Sequence, residues 1–565
     1  MFLFDFFRSF LPLHNPLGFG AGDFLLLILA AMLAAAALFW RPGVEAQARR
    51  LAERAGWSML LLAALPVVLR LALLAHHPVP RPDVYDEFGH LLMADTLRHF
   101  RLANPPHALS QFFETQFVLQ QPAYSSIYPP GLGLILAIGW SLFGHPWAGV
   151  LLATAALCSL SYWMLRGWTT PGWALAGGAL AVIEFGPLSQ WTNSYWGGAA
   201  AAAAGCLVFG ALPRLFDRPR TRDAVLLGVG LGLHMLIRPF ESVLLVMSVL
   251  LFFAPLLRKT GQLRRLARFV PATALAVFPA VVLMLVANHQ STGNWLTMPY
   301  MVSRYQYGVP AAFTIQAPPV PHRELNREQA LNYRMQLSFR ASGAETLRTY
   351  FERLEYRVRF YRFFFLAPLY LAIPAFLFKL KPYRFLWVVL TLALFALGSN
   401  FYPNFEPHYI AAITSLLILV AITGLQQWER RSPAAARVIV FLCIAQFVFW
   451  YGLHVFDTQP FSMALRQYET WDGLNHRNPA TRIAVDRQLD ALPGKLLVFV
   501  RYYPQHAFQD EWVYNRADID AARVVWARDL GPEEDAKLRS YFRDRAVWLL
   551  EPDFRPPRLT LYAAP

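Results

Sequence analysis

Apolar runs of about twenty residues recur along this chain, and short arginine-rich loops separate them. A run of that length must satisfy its own backbone hydrogen bonds in lipid, and a helix does so within the segment. The repetition therefore specifies a polytopic α-helical membrane protein. Composition agrees: of 565 residues, 56% are hydrophobic and only 15% are charged, against about 25% charged in a typical soluble domain. A net charge of +15 would suit nucleic acid. The arginines, however, sit in the loops between runs, which is the distribution of the positive-inside rule, so no nucleic-acid partner is expected. Cys158, Cys206 and Cys443 all fall within apolar runs and give neither a disulfide framework nor metal-ligand spacing. The Phe-rich start, with Asp5, lacks the basic opening of a cleavable signal.

The basic loops set sidedness, and about twelve spans are expected. Residues 1–56 read as an N-terminal unit, with a first span at 24–40 and an inner loop holding Arg41, Arg49, Arg50 and Arg54. Residues 57–455 read as the main transmembrane domain, with large outer loops at 76–146 and 288–358. Arg70, near the outer end of the span 57–75, is placed to snorkel or to face a cavity. The run 130–144 decides the topology. If it crossed, Arg214, Arg218, Arg220 and Arg222, and the basic loop 258–268, would lie outside, against the charge bias. At about 14 residues it is also short for a span. It is expected to be an interfacial or re-entrant helix. A span is also expected at 361–378, ahead of Lys379, Lys381 and Arg384. The tail, 456–565, changes to soluble patterns, with helices at 481–492 and 532–543 and strands at 495–501, 523–528 and 546–551. That suggests a small C-terminal α/β domain outside the membrane. It carries no phosphate loop, nucleotide fingerprint or zinc spacing.

The first strongly polar segment after the early apolar runs is Asp83–His90, Asp-Val-Tyr-Asp-Glu-Phe-Gly-His. Asp83 suits an N-cap, starting a helix at Val84. Asp86 and His90 then lie one turn apart on one side with Glu87 beside them, while Phe88, Leu91 and Leu92 fall largely on the other. This is an acidic cluster on an amphipathic helix at a membrane surface. Acids in a first turn also favour the helix dipole without doing any chemistry, and the rest of the chain has to choose between the two readings.

Three features carry a resemblance. They are Asp86–Glu87 just beyond a span, Tyr128-Pro129-Pro130-Gly131 in the first outer loop, and Thr292-Gly293-Asn294-Trp295 with Met298-Pro299-Tyr300 in the second. In the order and sidedness of these motifs the chain resembles the GT-C membrane glycosyltransferases over roughly residues 57–425. The nearest group looks like the enzymes that modify rhizobial lipopolysaccharide. Protein O-mannosyltransferases and the aminoarabinose transferase of lipid A resemble it more distantly. The resemblance implies inverting transfer of a sugar from a polyprenyl-phosphate carrier to an envelope acceptor (lipid, polysaccharide or protein). The reaction would take place on the outer, periplasmic face of a bacterial inner membrane.

By the same resemblance, Asp86 is the base for the acceptor hydroxyl, Glu87 orients the acceptor or binds a cation, and His90 orients Asp86 or shares a metal with it. Arg238, followed by Pro239 and able to pair with Glu241, is the first candidate for the donor phosphate. Arg304 is a further one. His408 and Tyr409 stand where many relatives have a basic residue followed by Tyr. Tyr128, Glu184, Tyr195, Trp196, Trp295 and Tyr300 are candidates for contact with substrate. Oligosaccharyltransferase-type members carry an acid in the next outer loop, whereas 189–196 here has Asn193 and no acid. No tightly bound metal or other cofactor is expected, and a loosely held divalent cation stays open. Two other functions fit a polytopic chain. A secondary transporter or lipid flippase would place ionisable groups on broken helices near the midplane, but here the polar clusters fall in outer loops. A noncatalytic assembly subunit would use the tail for docking.

Overall fold

The structure is a computed structural model that describes residue 32 and residues 43–258, 260–339, 345–456 and 479–562. Apart from Met32, the expected first span at 24–40 lies outside the described residues, as does 457–478 of the tail. Among the described residues, seven stretches are long and apolar enough to cross a membrane: Ala55–Ala72, Trp147–Leu165, Gly198–Asp217, Pro239–Arg258, Gly261–Thr292, Pro407–Arg431 and Pro433–Phe456. Shorter apolar helices, Pro130–Phe143, Pro171–Phe185, Ala367–Lys379 and Tyr383–Ser399, accompany them.

Gly198–Asp217 sits in the middle of the bundle. Its opening run of alanines, Ala199–Ala204, is buried, and small residues let neighbouring backbones approach closely. Trp147–Leu165, Thr221–Ile237 and the 3₁₀ segment Pro407–Ile413 all pack on it. The helix Pro130–Phe143 turns through Gly144 and packs on Trp147–Leu165 as a tight hairpin. A Cβ on Gly139 would lie 2.0 Å from the Gly149 nitrogen, and one on Gly149 would lie 2.4 Å from the Ile135 oxygen. The two backbones touch there.

The expected span at 361–378 is not one α-helix. It runs as three 3₁₀ segments, Arg359–Phe364, Ala367–Leu371 and Ile373–Lys379. Pro368 and Pro374 each remove an N–H and crowd the preceding turn, so an unbroken α ladder cannot form. In the second outer loop the helix Arg327–Ser338 starts where Asn326 and Gln329 exchange side-chain to backbone bonds as a capping box.

The first outer loop contains the helix Tyr85–Arg98 and a small antiparallel ribbon, β1 (Val118–Leu119) with β2 (Ser125–Ser126). The second contains the helices Pro299–Tyr307, Arg327–Ser338 and Leu347–Val358. In the tail, β3 (Leu496–Val500), β4 (Val524–Arg528), β5 (Ala546–Glu551) and β6 (Arg558–Leu561) form a sheet ordered β4-β3-β5-β6. β3 runs parallel to both neighbours, and β6 is antiparallel to β5. Because side chains alternate along a strand, β3 buries two faces. Leu496, Val498 and Val500 meet Val485 and Leu489 of the helix Ala480–Asp490. Leu497 and Phe499 meet Leu538, and also Leu92, Phe112 and Phe113 of the first outer loop. That half of the core is shared between the sheet and the loop.

The hairpin contact has a direct consequence. Gly149→Val would push a branched side chain into a helix backbone, and about 1–3 kcal/mol of destabilisation is expected. A lower thermal midpoint in detergent reads it. A variant that melts with wild type would mean that the two backbones do not touch there.

Candidate active site

The helix Tyr85–Arg98 begins one residue later than expected, and its cap is reversed. Val84, not Asp83, occupies the N-cap. Glu87, at the third helical position, reaches back to accept the backbone N–H groups of Asp83 (2.8 Å) and Val84 (3.3 Å). Its other oxygen accepts the N–H of Tyr195 at 2.9 Å. Glu87 is buried, and its carboxylate stitches the start of the helix to the loop 188–197.

Asp86 points elsewhere, because consecutive helical residues are about 100° apart. It lines a cavity of 390 Å³ enclosed by both outer loops and the ends of several spans. The Tyr128 hydroxyl donates a hydrogen bond to Asp86 Oδ1. That close approach needs Gly89, since a Cβ there would sit 2.9 Å from the Tyr128 ring. His90, one turn on, lines the same cavity and packs its ring against Tyr128, with centroids 4.1 Å apart. Its Nδ1 has no hydrogen-bond partner among the described residues. Burial first, and then the Arg238 guanidinium, push the imidazole down to about 3, so it is neutral at physiological pH.

Arg238 faces this group across the cavity. It sits at the break between Thr221–Ile237 and Pro239–Phe253, where Pro239 cannot continue the first helix. Its guanidinium lies over the Tyr409 ring at 4.7 Å and is 4.0 Å from Glu241. His408, Trp196, Tyr300 and Arg304 complete the expected residues in the lining. His408 is buried and meets Trp196 edge to face at 5.0 Å. Arg304 donates to the carbonyls of Pro310 (3.1 Å) and Ala311 (3.2 Å), so part of its guanidinium serves the loop. Burial also lowers its pKa.

Four expected residues lie away from this cavity. Glu87 is the buried stitch already described. Tyr195 is buried and donates its hydroxyl to the Pro80 carbonyl at 3.0 Å. Glu184 lies in the bundle core beside Phe185, Phe364 and Ile418, and neither of its carboxylate oxygens has a hydrogen-bond partner among the described residues. Trp295 is 51% exposed and stacks on His289. The motif around it closes a helix. Gly293 takes the left-handed cap, and Asn294 Oδ1 accepts the N–H groups of Leu296 and Thr297. Arg70 is fully buried rather than snorkelling, and it donates to Asn193 Oδ1 at 2.7 Å.

The cavity also gathers residues that the sequence did not single out for it: Tyr85, Tyr402, Glu406, Met335 and, from the tail, Gln509. Glu406 and Tyr402 flank the Pro407-His408-Tyr409 stretch, and that proximity was the available signal. Nothing in the sequence pointed to Gln509. Among the described residues, no group of three or more His, Cys, Asp or Glu side chains converges as a metal site.

No family model matches the sequence, and no curated protein matches it. Its fold is similar to that of ArnT from Cupriavidus metallidurans in the apo state, at 13% identity and a TM-score of 0.52, over 88% of this chain and 93% of that one. ArnT from the same organism bound to undecaprenyl phosphate aligns at 14% identity and a TM-score of 0.48, over the same shares. The Archaeoglobus fulgidus oligosaccharyltransferase in the apo form aligns at 14% identity and a TM-score of 0.40, over 79% of this chain and 62% of that one. The fold of this chain is therefore like that of ArnT over most of both chains.

Burial outweighs three backbone donors at Glu87 and lifts its pKa to about 7, from an ordinary 4.5. The folded protein then holds a proton that the unfolded chain releases between those values. This group's contribution to stability is therefore full below about 4.5 and is lost as pH rises towards 7. Glu87→Gln removes an acceptor and should cost about 1–3 kcal/mol. The deficit against wild type should be larger at pH 5 than at pH 7.5 in paired thermal melts. A deficit that grows with pH would reverse the sign assigned to Glu87.

Proposed function

We propose that this protein is an inverting glycosyltransferase that moves a sugar from a polyprenyl-phosphate carrier to a hydroxyl of an envelope acceptor. In this reading it is a multi-pass protein of a bacterial inner membrane, with residues 57–455 carrying the site and both the site and the tail facing the periplasm. One observation carries the reading: a carboxylate, Asp86, and a guanidinium, Arg238, line the same cavity. Tyr409 lies within electrostatic reach of both. The likeness of its fold to that of ArnT supports it.

In the reaction the acceptor oxygen attacks the anomeric carbon from the side opposite the phosphate. The acceptor proton passes to Asp86. The bond between the anomeric carbon and the phosphate oxygen breaks, and its electron pair leaves with polyprenyl phosphate, whose negative charge Arg238 offsets. One positioned base contributes on the order of 10²–10⁴-fold, and one preorganised donor at a developing anion about 10²–10³-fold. Tyr128 fixes the direction of Asp86 through its hydrogen bond. His90, being neutral, adds a polar group to the wall without adding charge.

Purified protein, a panel of polyprenyl-phospho-sugars and acceptors from the same envelope provide the test, with release of polyprenyl phosphate as the readout. Asp86→Asn should slow release by about 10²–10⁴-fold and Arg238→Met by about 10²–10³-fold. Full transfer by Asp86→Asn at equal protein level would remove Asp86 as the base. Movement of a carrier lipid or solute without any sugar transfer would replace this reading with a transporter.

A further inference from the structure

The helix Tyr85–Arg98 has a second face, and the α/β unit of residues 479–562 covers it. Phe88, Leu92 and Asp95 follow the spacing i, i+4, i+7 and so share a side, away from Asp86. Phe88 stacks face to face on Tyr514, with centroids 4.2 Å apart and planes within 1°. The Arg482 guanidinium lies over the Phe88 ring at 4.6 Å and over Trp512 at 4.5 Å, and it donates to the Glu511 carbonyl at 2.5 Å. Leu92 enters the core shared with Leu497 and Phe499. Asp95 Oδ2 accepts the Ala517 N–H at 2.9 Å.

The same unit also grips the other outer loop. Glu511 pairs with Arg528 at 3.2 Å, and Arg528 pairs with Glu328 of the helix Arg327–Ser338. That helix carries Met335 and Gln336 into the cavity wall. The α/β unit therefore joins the helix that bears Asp86 to the helix that carries Met335 and Gln336 in the lining of the same cavity.

We propose that the α/β unit is the positioning element of this site, with Phe88, clasped by Tyr514 and Arg482, as the handle through which it sets the direction of Asp86. The inference rests on the reading of Asp86 as the base. None of these residues touches the reacting atoms, so they are positioning residues. Their effect is on geometry, where a displacement of about 1 Å can cost on the order of 10²-fold in rate.

The test uses the full-length protein and the donor-turnover assay, with Phe88→Leu, Phe88→Tyr, Arg482→Met and the double variant Phe88→Leu with Arg482→Met. Phe88→Leu and Arg482→Met should each lower kcat by about 10- to 100-fold, while the donor KM stays near wild type. The double variant should be no worse than the weaker single, since both remove one clasp. Phe88→Tyr keeps the stacked ring and should stay close to wild type. Hydrogen exchange should quicken at 85–98 in Phe88→Leu and Arg482→Met and remain unchanged at 130–143. Wild-type kcat with wild-type protection of 85–98 in both single variants would overturn the proposal, as would exchange that quickens equally across the bundle. Asp86→Asn separates the two failures. If it is silent, the base assignment falls and takes this inference with it. If it is inactive while Phe88→Leu turns over normally, the positioning role alone falls.

Discussion

In lipid, every backbone N–H and C=O needs a partner from the chain itself. That constraint collects the irregular backbone of this protein outside the straight spans and so decides where chemistry can occur. The break at Arg238 shows the rule at close range. Pro239 has no N–H to give, and Ser242 Oγ donates to the Arg238 carbonyl at 2.8 Å while His234 Nδ1 holds the same hydroxyl at 2.7 Å. The Arg238 carbonyl thus accepts both the N–H and the hydroxyl of Ser242, and the Arg238 guanidinium lines the cavity. The 3₁₀ entry of Pro407–Ile413, kinked at Ile410, brings His408 and Tyr409 to the same place.

Asp86 and Glu87 show how one residue step separates chemistry from architecture. Both are first-turn acids of the same helix. Glu87 turns inward, meets three backbone N–H groups and becomes part of the fold. Asp86 turns to the cavity and keeps a neutral, polarisable neighbour in Tyr128. Tyr128 stays neutral because burial, and then the charge of Asp86, raise its pKa well above the ordinary value. A phenol that holds its proton remains a donor to the carboxylate, so the pair is ordered by the same charge that the proposed reaction uses.

Energetically, the sheet of the tail is not a free module. Small domains struggle to bury enough apolar surface alone, and here β3 completes one of its faces with Phe112, Phe113 and Leu92 from the first outer loop. The buried ion pairs Arg528–Glu328 and Arg528–Glu511 link the tail to the second loop. Charges out of water repay their desolvation only when partnered on every side. Arg528 therefore fixes one geometry for the pair of loops better than an apolar contact of the same size would, because a slip would leave the charge stranded.

Much of the architecture was legible in the sequence because its signals are local. Apolar length, arginine placement and strand alternation act within a few residues, and they specified a polytopic helical chain ending in an α/β unit. The stretches 495–501, 523–528 and 546–551 emerged as β3, β4 and β5 for that reason. Prolines overrode apolar length at 361–378, where Pro368 and Pro374 turn an expected span into 3₁₀ segments. At the cavity, residue types and approximate positions could be read for Asp86, His90, Arg238 and Tyr409, but the convergence of the Asp86–His90 helix with Arg238 and Tyr409 could not, since those elements lie more than a hundred residues apart in the chain. Glu87, Tyr195, Glu184 and Trp295 looked like site residues by type and place, yet helix phase and packing turned them into the fold or to solvent. Gln509 entered the cavity with no local signal at all. What the sequence alone determined was a helical chain of long apolar runs alternating with polar stretches, because each run carries its own cost of burial. Which of two neighbouring acids faces the cavity, and which sheet holds that helix still, was decided only by the tertiary structure, because both depend on surfaces that exist only once distant segments have packed.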